Sequence, residues 1–262
     1  MKIVAVNGYK SYIGKNFHKY YKKKYKIIFY KEDINNLPKF KLFTKKNKFD
    51  FFIHLASLSR IKCDLKKKLC KKTNYSSFKK IIYHLNTLNK KPRVIFISSS
   101  HVYGISKKKL TENSITKPST LYGKLKLKSE NFLKAKYKNY CILRLFNVYG
   151  RNQPPNFFIP DIIKKIKKKE KIEINKSIRD FIHVDDVLKI IDFIINNEIT
   201  DTLNVGSSRG VSLEYIVKKI SDKLNKKPFL NINNKSDKLI ASIKKLRKLG
   251  YKKNINEKFF NF

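Results

Sequence analysis

The chain has 262 residues, 41% of them hydrophobic, which is enough to build one large domain or a domain with a small appendage. Its 62 basic and 19 acidic side chains give a formal net charge of +43, but the lysines are spread in short runs and arginine is scarce. The composition excludes disorder of the whole chain, and we predict a solvated basic surface without specific nucleic-acid binding.

The first predicted elements are a strand, a glycine turn and a helix. Residues 2–6 (Lys-Ile-Val-Ala-Val) predict a buried strand, and Gly8 and Gly14 enclose the turn that follows. The helix that opens there is amphipathic, with Phe17, Tyr20 and Tyr21 on its apolar face. Backbone amides at a helix start and the positive end of the helix dipole suit a pyrophosphate, although the glycines alone also fit a purely structural turn.

Short apolar strands and amphipathic helices then alternate along the chain. Further strands are predicted at 27–30, 51–55, 94–98, 141–145 and 202–205. Helices are predicted at 73–86, 121–136, 159–168 and 184–196. This alternation predicts an α/β fold with a doubly wound, Rossmann-like parallel sheet and right-handed crossovers.

Prolines at 154, 155 and 160 interrupt the pattern after Gly150. We predict a dinucleotide-binding domain over 1–150, to which 178–205 return. Residues 151–262 are predicted to form mainly a small C-terminal substrate-binding lobe of short helices and lysine-rich loops. A ligand cleft is expected at the carboxyl ends of the strands.

The cysteines and apolar runs bear on the compartment. Cys63, Cys70 and Cys141 are odd in number and include no Cys-x-x-Cys pair, which favours buried thiols in a reducing compartment. Apolar runs fall far short of the ~20 residues of a membrane-spanning helix, and Met1 leads directly into a strand. We therefore predict a cytoplasmic protein without a membrane partner and, because the histidines lack ligand spacing, without a metal.

Five Tyr-x-x-x-Lys pairs are candidates for acid–base chemistry, since a helix places both side chains on one face. An ammonium about 4 Å from the phenol is expected to lower the tyrosine pKa by as much as ~3 pH units, which makes the tyrosine a usable proton donor. Lysine is so abundant that the residues alone do not select one pair. The pairs are Tyr20/Lys24, Tyr75/Lys79, Tyr103/Lys107, Tyr122/Lys126 and Tyr215/Lys219.

Eight short motifs follow one another along nearly the whole chain. They are Gly8-x-x-Ser11-x-x-Gly14, residues 52–57 (Phe-Ile-His-Leu-Ala-Ser), Thr73-Asn74, 97–104 (Ile-Ser-Ser-Ser-His-Val-Tyr-Gly), Tyr122-x-x-x-Lys126 with Glu130 following, 144–150 (Arg-Leu-Phe-Asn-Val-Tyr-Gly), 179–187 (Arg-Asp-Phe-Ile-His-Val-Asp-Asp-Val) and Asn204-Val205-Gly206. In this order they resemble the extended short-chain dehydrogenase/reductase family of nucleotide-sugar epimerases, dehydratases and reductases. The resemblance selects Tyr122 and Lys126 from the five pairs.

The resemblance implies roles for individual residues. Ser99 would orient the substrate oxygen, Tyr122 would move the proton, and Lys126 would hold the nicotinamide ribose and tune Tyr122. The implied cofactor-binding residues are Gly8, Ser11, Tyr12, Ile13, Gly14, Leu55, Ala56, Asn74 and Lys126. The implied substrate-binding residues are Ser99, Ser100, Asn147 and Arg179, with Arg179 on the diphosphate of the sugar nucleotide.

Other polar residues are expected to be structural. His54 and His183 are predicted to be packed or hydrogen-bonded, and Asp185 and Asp186 to cap an apolar helix. Judged from the residue alone, Arg144 is a solvated charge.

The resemblance leaves several reactions open. Dehydratases of this family carry an acidic pair after the active-site serine or threonine, and Ser100 and His101 stand at those positions here, which disfavours dehydration. A 4-keto-sugar reductase is favoured because the chain is short, and Lys10 and Lys31 favour NADP over NAD through the ribose 2′-phosphate. The alternatives are a nucleotide-sugar 4-epimerase with retained NAD and, in another class, an inactive nucleotide-sugar or dinucleotide-binding scaffold, since Ser11 replaces the middle glycine. The predicted partner is a nucleotide sugar. Whether two copies of the chain form a homodimer is left open.

Overall fold

The computed structural model describes residues 1–104, 106, 108–155 and 157–255. In this part of the chain a six-stranded sheet has the order β2-β1-β3-β4-β5-β9. Its ladders from β2 to β5 are all parallel, so the predicted α/β parallel sheet is confirmed. The strands are β1 (Ile3–Asn7), β2 (Lys26–Tyr30), β3 (Phe51–His54), β4 (Arg93–Ser99), β5 (Tyr140–Leu145), β6 (Asn147–Tyr149), β7 (Lys171–Arg179), β8 (Phe181–His183), β9 (Asp201–Val205), β10 (Val211–Ser212) and β11 (Phe229–Leu239).

The helices follow the predicted alternation. They are α1 (Tyr12–Tyr21), α2 (Leu37–Lys46), α3 (Arg60–Leu65), α4 (Lys67–Lys71), α5 (Phe78–Asn86), α6 (Leu121–Lys136), α7 (Phe158–Lys168), α8 (Val184–Asn197), α9 (Leu213–Leu224) and α10 (Lys244–Lys248). A π-helical turn, Lys72–Ser77, leads into α5, and a 3-10 turn, Ser100–Val102, follows β4.

The chain divides into two compact units. The first comprises residues 1–104, 114–145 and 188–203, and the second contains the described residues of 105–113, 146–187 and 204–262. In the first unit the apolar strands β1, β3 and β4 are buried, and α5 packs Ile81, Ile82 and Leu85 into their core. Full burial of such a side chain contributes about 1.5–3 kcal/mol, which fixes the strand ends that carry the polar motifs.

Helix α1 partly matches its predicted face. Phe17 is buried, but Tyr20 is 53% exposed, so its placement on the apolar face was wrong. A helix of ten residues buries a narrow stripe, and Tyr12 and Gly14 complete it.

The second unit contains more sheet than the sequence indicated. Strand β7 lies between β10 and β11 in a three-stranded sheet, and β6 pairs with β8 in parallel. Ile172 and Ile174 point from β7 into a core with α7 and α9. Short helices, lysine-rich loops and the strand at 202–205 were predicted for 151–262, whereas strands β7, β8, β10 and β11 were not.

Candidate active site

Ser99 and Tyr122 meet where β4 ends and α6 begins. Ser99 is the last residue of β4, and its Oγ accepts a hydrogen bond from the His101 amide at 3.2 Å. Thr120 caps α6 by accepting from the Gly123 amide at 3.1 Å, which places Tyr122 in the first turn of the helix. The Ser99 side chain lies close enough to the Tyr122 phenol to lower its pKa. The structure thus brings together two of the three predicted catalytic residues.

Close contact between backbones fixes this geometry. A Cβ at position 123 would collide with the carbonyl oxygen of His101, so Gly123 lets α6 lie directly against the 3-10 turn. The rings of His101 and Tyr122 meet edge-on at 5.7 Å between centroids. Ser100 is 3% exposed, and its carbonyl accepts from the Tyr103 amide at 3.1 Å.

Lys126, the third predicted catalytic residue, lies one helical turn beyond Tyr122. It is buried, and its Nζ donates a hydrogen bond to the Ile97 carbonyl at 2.7 Å. The same Nζ lies 4.9 Å from the centroid of the Phe96 ring and 5.7 Å from that of Tyr122. The ammonium is thus held beside the tyrosine ring.

The expected depression of the tyrosine pKa is not found. Burial raises the pKa of Tyr122 to about 12, against a lowering by the Ser99 side chain. Burial also lowers the pKa of Lys126 to about 7, although the charge of Glu130 acts to raise it. Desolvation therefore outweighs the Coulomb effect on which the prediction was based.

The glycine turn lies at the carboxyl end of β1. Gly8 has a φ of +68°, and a Cβ there would lie 2.7 Å from the Ala56 amide nitrogen. The Ser11 amide donates to the Gly8 carbonyl at 2.8 Å, and Ser11 Oγ accepts from the Gly14 amide at 3.1 Å. Ser11 is thus the N-cap of α1, and Tyr12 and Ile13 occupy its first turn.

The side chain of Asn7 binds the backbone at the end of β3, and this role was not predicted from the sequence. Its Oδ1 accepts from the amides of Leu55 and Ala56 at 2.8 and 2.9 Å, and its Nδ2 donates to His54 Nδ1 at 2.8 Å. Burial lowers the pKa of His54 to about 3, with repulsion from Lys126 acting in the same direction. The prediction of a structural histidine is confirmed. A buried asparagine directly before the turn glycine was the available signal.

Asn74 lies in the π-helical turn and binds the segment after β3. Its Oδ1 accepts from the Leu58 amide at 2.7 Å, and its Nδ2 donates to the Leu58 carbonyl at 3.0 Å. Cys63 and Cys70 form a disulfide beside it, whereas Cys141 is buried and takes no part in the disulfide. The expectation of three thiols was therefore wrong, because the fold of α3 and α4 brings two of them together.

The residues after β2 do not single out a ribose-binding acid. Lys31 is exposed, Glu32 pairs with Lys39 at 2.7 Å, and Asp33 accepts from the Asn35 amide at 2.9 Å. The carboxylates of Glu32 and Asp33 therefore both bind residues that are close to them in the sequence.

The remaining two predicted substrate residues, Asn147 and Arg179, belong to the second unit. Asn147 Nδ2 donates to the Asp180 carbonyl at 2.9 Å. Arg179 NH2 donates to both carboxylate oxygens of Asp237, at 3.0 and 2.8 Å, and Arg179 is partly exposed. Asp237 thus orients the guanidinium that was predicted to meet a diphosphate.

A buried ion pair, which sequence reasoning missed, lies behind the catalytic helix. Arg144 on β5 donates to Glu130 on α6 from Nε, at 3.1 Å to each oxygen, and from NH2 at 2.7 Å. Ser98 also donates to Glu130, and Arg144 NH1 donates to the Tyr103 hydroxyl at 2.8 Å. Arg144 is 3% exposed, so the alternative of a solvated charge, which follows from the residue type alone, does not hold. The motifs contained both residues, but their pairing across helix and strand is not local.

The acidic start of α8 follows the prediction. Asp185 and Asp186 lie in its first turn, where carboxylates stabilise the helix dipole. The Asp185 amide donates to His183 Nδ1 at 3.3 Å, which confirms a hydrogen-bonded His183.

In 1–104, 106, 108–155 and 157–255, no group of three His, Cys, Asp or Glu side chains is placed to hold a metal ion. Within the same described ranges, no helix has the length and apolar character needed to cross a membrane.

Comparison with known proteins identifies the class to which this fold and site belong. The model of the NAD dependent epimerase/dehydratase family matches residues 4–206, and the chain belongs to that family. This confirms the predicted membership of the extended short-chain dehydrogenase/reductases.

Particular relatives catalyse different reactions. The chain is 30% identical to GDP-6-deoxy-D-talose 4-dehydrogenase of Aggregatibacter actinomycetemcomitans over 82% of its length and 78% of that protein's. It is 27% identical to dTDP-D-glucose 4,6-dehydratase of Dictyostelium discoideum over 73% of its length, but spans only 49% of that relative. Among solved structures, UDP-N-acetylglucosamine 4-epimerase of Methanobrevibacter ruminantium M1 superposes with a TM-score of 0.86 at 23% identity, covering 98% of this chain and 94% of the other.

Proposed function

We propose that the protein is an NAD(P)-dependent nucleotide-sugar oxidoreductase that reduces a 4-keto sugar. The observation that carries the proposal is the position of the Lys126 Nζ, 5.7 Å from the centroid of the Tyr122 ring, with Ser99 at the end of the neighbouring strand close enough to act on the phenol. A hydroxyl pair beside a buried cation is suited to deliver a proton to a developing alkoxide.

The residues around the glycine turn fit a nicotinamide dinucleotide. Gly8 leaves free the space that a Cβ would fill, and α1 directs its N-terminal amides towards the same turn. Ser11 uses its side chain to cap α1, which supports dinucleotide binding despite the missing glycine. We assign the diphosphate to Gly8, Ser11, Tyr12, Ile13 and Gly14.

Further cofactor contacts are assigned to Leu55, Ala56 and Asn74 near the end of β3, and to Lys126 on the nicotinamide ribose. A bound nicotinamide supplies the hydride. Lys31 is exposed directly after β2, which favours a ribose 2′-phosphate and hence NADP. We assign dinucleotide binding to the first unit.

Tyr122 acts as the proton donor in this proposal. With a pKa of about 12 its phenol is protonated at neutral pH, so it serves as an acid rather than as a base. Reduction of a ketone needs an acid at the carbonyl oxygen, whereas an epimerase must first remove a proton from a hydroxyl. Ser99 donates to the same oxygen and holds it beside the phenol. A protonated phenol is the form that reduction of a ketone requires, and the short chain favours the reductase.

Contacts with the substrate are assigned to Ser99 and Ser100 in the first unit and, separately, to Asn147 and Arg179 in the second unit. Arg179 has the charge and the planar guanidinium that suit the diphosphate of a nucleotide sugar, and a bound diphosphate would replace contacts that its NH1 and NH2 make here with Ile178 and Asp237. Asn147 would bind the sugar through the part of its amide not used by Asp180. The relatives named above act on GDP- and dTDP-sugars, which supports a nucleotide sugar as substrate.

The second candidate is a 4-epimerase with retained NAD, favoured by the superposition on a 4-epimerase over 98% of the chain. Incubation with NADPH or NADH and a panel of nucleotide 4-keto sugars, followed at 340 nm and by NMR of the product, tests the proposal. A reductase consumes one reduced cofactor per product. Interconversion of two sugars without net cofactor consumption supports the epimerase, and binding without turnover supports a scaffold. A homodimer and a cytoplasmic location stay predictions.

A further inference from the structure

Residues 59–72 form two short helices on the protein surface around a disulfide. Helix α3 has six residues and α4 has five, and no side-chain hydrogen bond caps the N-terminus of either. Every residue from 59 to 72 is exposed except Cys63 and Cys70, which are fully buried and bonded to each other. Leu65 is apolar and still 78% exposed. The disulfide is therefore the part of this segment that packs into the protein.

The charge of the segment opposes this packing. Residues 59–72 contain six lysines and Arg60 against a single acid, Asp64. Arg60 and Asp64 form an exposed ion pair at 3.6 Å, and such pairs stabilise little. Like charges four residues apart on a helix, such as Lys67 and Lys71, destabilise it. Repulsion among the lysines thus favours release of the segment, and the covalent bond resists it.

One side of the disulfide lies against the start of α6. Leu125 joins Cys63 and Cys70 in a small buried apolar cluster, against which Leu121 and Tyr122 pack. Tyr122 carries the phenol that is assigned to proton transfer. Because buried groups are closely packed, a shift of the two sulfurs changes the support of the first turns of this helix.

The other side of the disulfide contacts the segment that follows β3. Asn74 Nδ2 donates to Cys63 Sγ at 3.4 Å and to the Leu58 carbonyl at 3.0 Å. Cys63 Sγ lies 3.7 Å from the same carbonyl. A disulfide sulfur has no hydrogen to donate, whereas a thiol has one, so reduction adds a second donor at this carbonyl. Leu55 and Ala56, which are assigned above to the cofactor, lie just before Leu58 in the chain.

We propose that the Cys63–Cys70 disulfide is a redox-sensitive switch that holds residues 59–72 against α6 and the segment after β3, and that its reduction releases them. Two thiols need more space than two bonded sulfurs, and the packed cluster has no room for them. After reduction, only two small buried side chains hold the segment against the repulsion of its lysines. The release weakens dinucleotide binding. That consequence rests on the proposed function, whereas the release itself does not.

The reductant is a dithiol, which reacts by thiol–disulfide exchange. A thiolate of the reductant attacks one of the two sulfurs, and the other sulfur leaves as a thiolate and takes up a proton. The second thiol of the reductant then displaces the remaining cysteine from the mixed disulfide. Two electrons and two protons pass to Cys63 and Cys70, and the reductant becomes a disulfide. Because both sulfurs are buried, the attack follows local opening of the two short helices.

Amide hydrogen exchange measures the release directly. The wild type is compared in the disulfide form and after incubation with excess dithiothreitol, and a thiol assay counts the cysteines released. The hydrogen-bonded amides of Cys63, Lys66 and Cys70 report on the segment. Their protection should fall by about ten- to a hundred-fold, since the bond restricts the open chain by roughly that factor. Amides of β4 should keep their protection.

Two sets of variants separate this disulfide from other effects of the reductant. A Cys63→Ser/Cys70→Ser variant should exchange like the reduced wild type at Lys66, with and without dithiothreitol. Cys141→Ala is the matched control, because Cys141 is fully buried and takes no part in the disulfide, and it should respond as the wild type does. Unchanged exchange in 59–72 after reduction, an equal rise in β4, or no release of thiols from the folded protein overturns the proposal. If the double variant does not fold, the comparison of oxidised and reduced wild type decides.

Titration with NADPH and NADH provides the second readout. A segment that is competent for binding about a tenth of the time weakens the apparent affinity about tenfold, and reoxidation should restore it. Unchanged affinity in protein whose two thiols have been counted overturns the effect on the candidate active site. If the disulfide form binds neither dinucleotide, the proposed function fails, while amide exchange still decides whether reduction releases the segment.

Discussion

Lys126→Met should abolish a specific part of the pH dependence of stability. Burial lowers the lysine pKa to about 7 from 10.5, so between these values the unfolded chain binds a proton that the folded protein has released. The unfolding free energy of the wild type should therefore rise as pH increases from about 7 to 10.5. At about 1.36 kcal/mol per pH unit, the upper limit of this rise is ~5 kcal/mol.

The Met variant should lack this rise, because its side chain does not titrate. Below pH 7 it should be at least as stable as the wild type, although it loses the 2.7 Å hydrogen bond to the Ile97 carbonyl. That bond is worth about 1.5–3 kcal/mol, which is less than the burial penalty it offsets. Urea denaturation at half-unit pH intervals measures the effect.

Lys124→Met is the matched control, since Lys124 lies exposed on the same helix. It should keep the wild-type slope. Parallel stability curves for the wild type and Lys126→Met between pH 7 and 10 would refute the assignment of a buried, weakly basic ammonium.

Two further predictions concern the disulfide and the alternative tyrosines. The Cys63–Cys70 disulfide closes a short loop with a sequence separation of 7, and its reduction should lower the free energy of unfolding by about 2–3 kcal/mol. The number of thiols that react in a thiol assay should rise by two per chain after reduction. An unchanged thiol count would contradict the disulfide. Tyr103→Phe should cost about 1–3 kcal/mol because the buried Arg144 loses an acceptor, whereas Tyr215→Phe, on a 47% exposed side chain, should lie within about 0.5 kcal/mol of the wild type. Thermal or urea unfolding of both variants checks this, and equal losses would contradict the buried network.

The parallel sheet of the first unit could be predicted from the sequence because its strands are short and apolar. Helix 121–136 was predicted with the bounds that the structure has, since its turn-forming start and its periodic leucines are local signals. The sheet of the second unit was missed although Ile172 and Ile174 alternate with polar residues, because lysines on the exposed face of β7 suggested a loop.

The site was predictable where a motif holds all partners and unpredictable where partners are distant. Ser99 and Tyr122 meet as expected, but the pKa of Tyr122 moved the opposite way because burial cannot be judged from spacing. Arg144 and Glu130 lie on different elements, so their pairing appears only after β5 packs against α6. The disulfide likewise depends on a fold that brings α3 and α4 together.

Tyr122→Phe tests the central assignment most directly. Turnover of the nucleotide sugar is measured from NAD(P)H consumption, and dinucleotide affinity is measured by fluorescence titration of the same preparation. Loss of the phenolic proton should lower kcat by about 10²–10⁴-fold while affinity for the dinucleotide stays at the wild-type value. Wild-type turnover in Tyr122→Phe would contradict the assignment of Tyr122 as the proton donor.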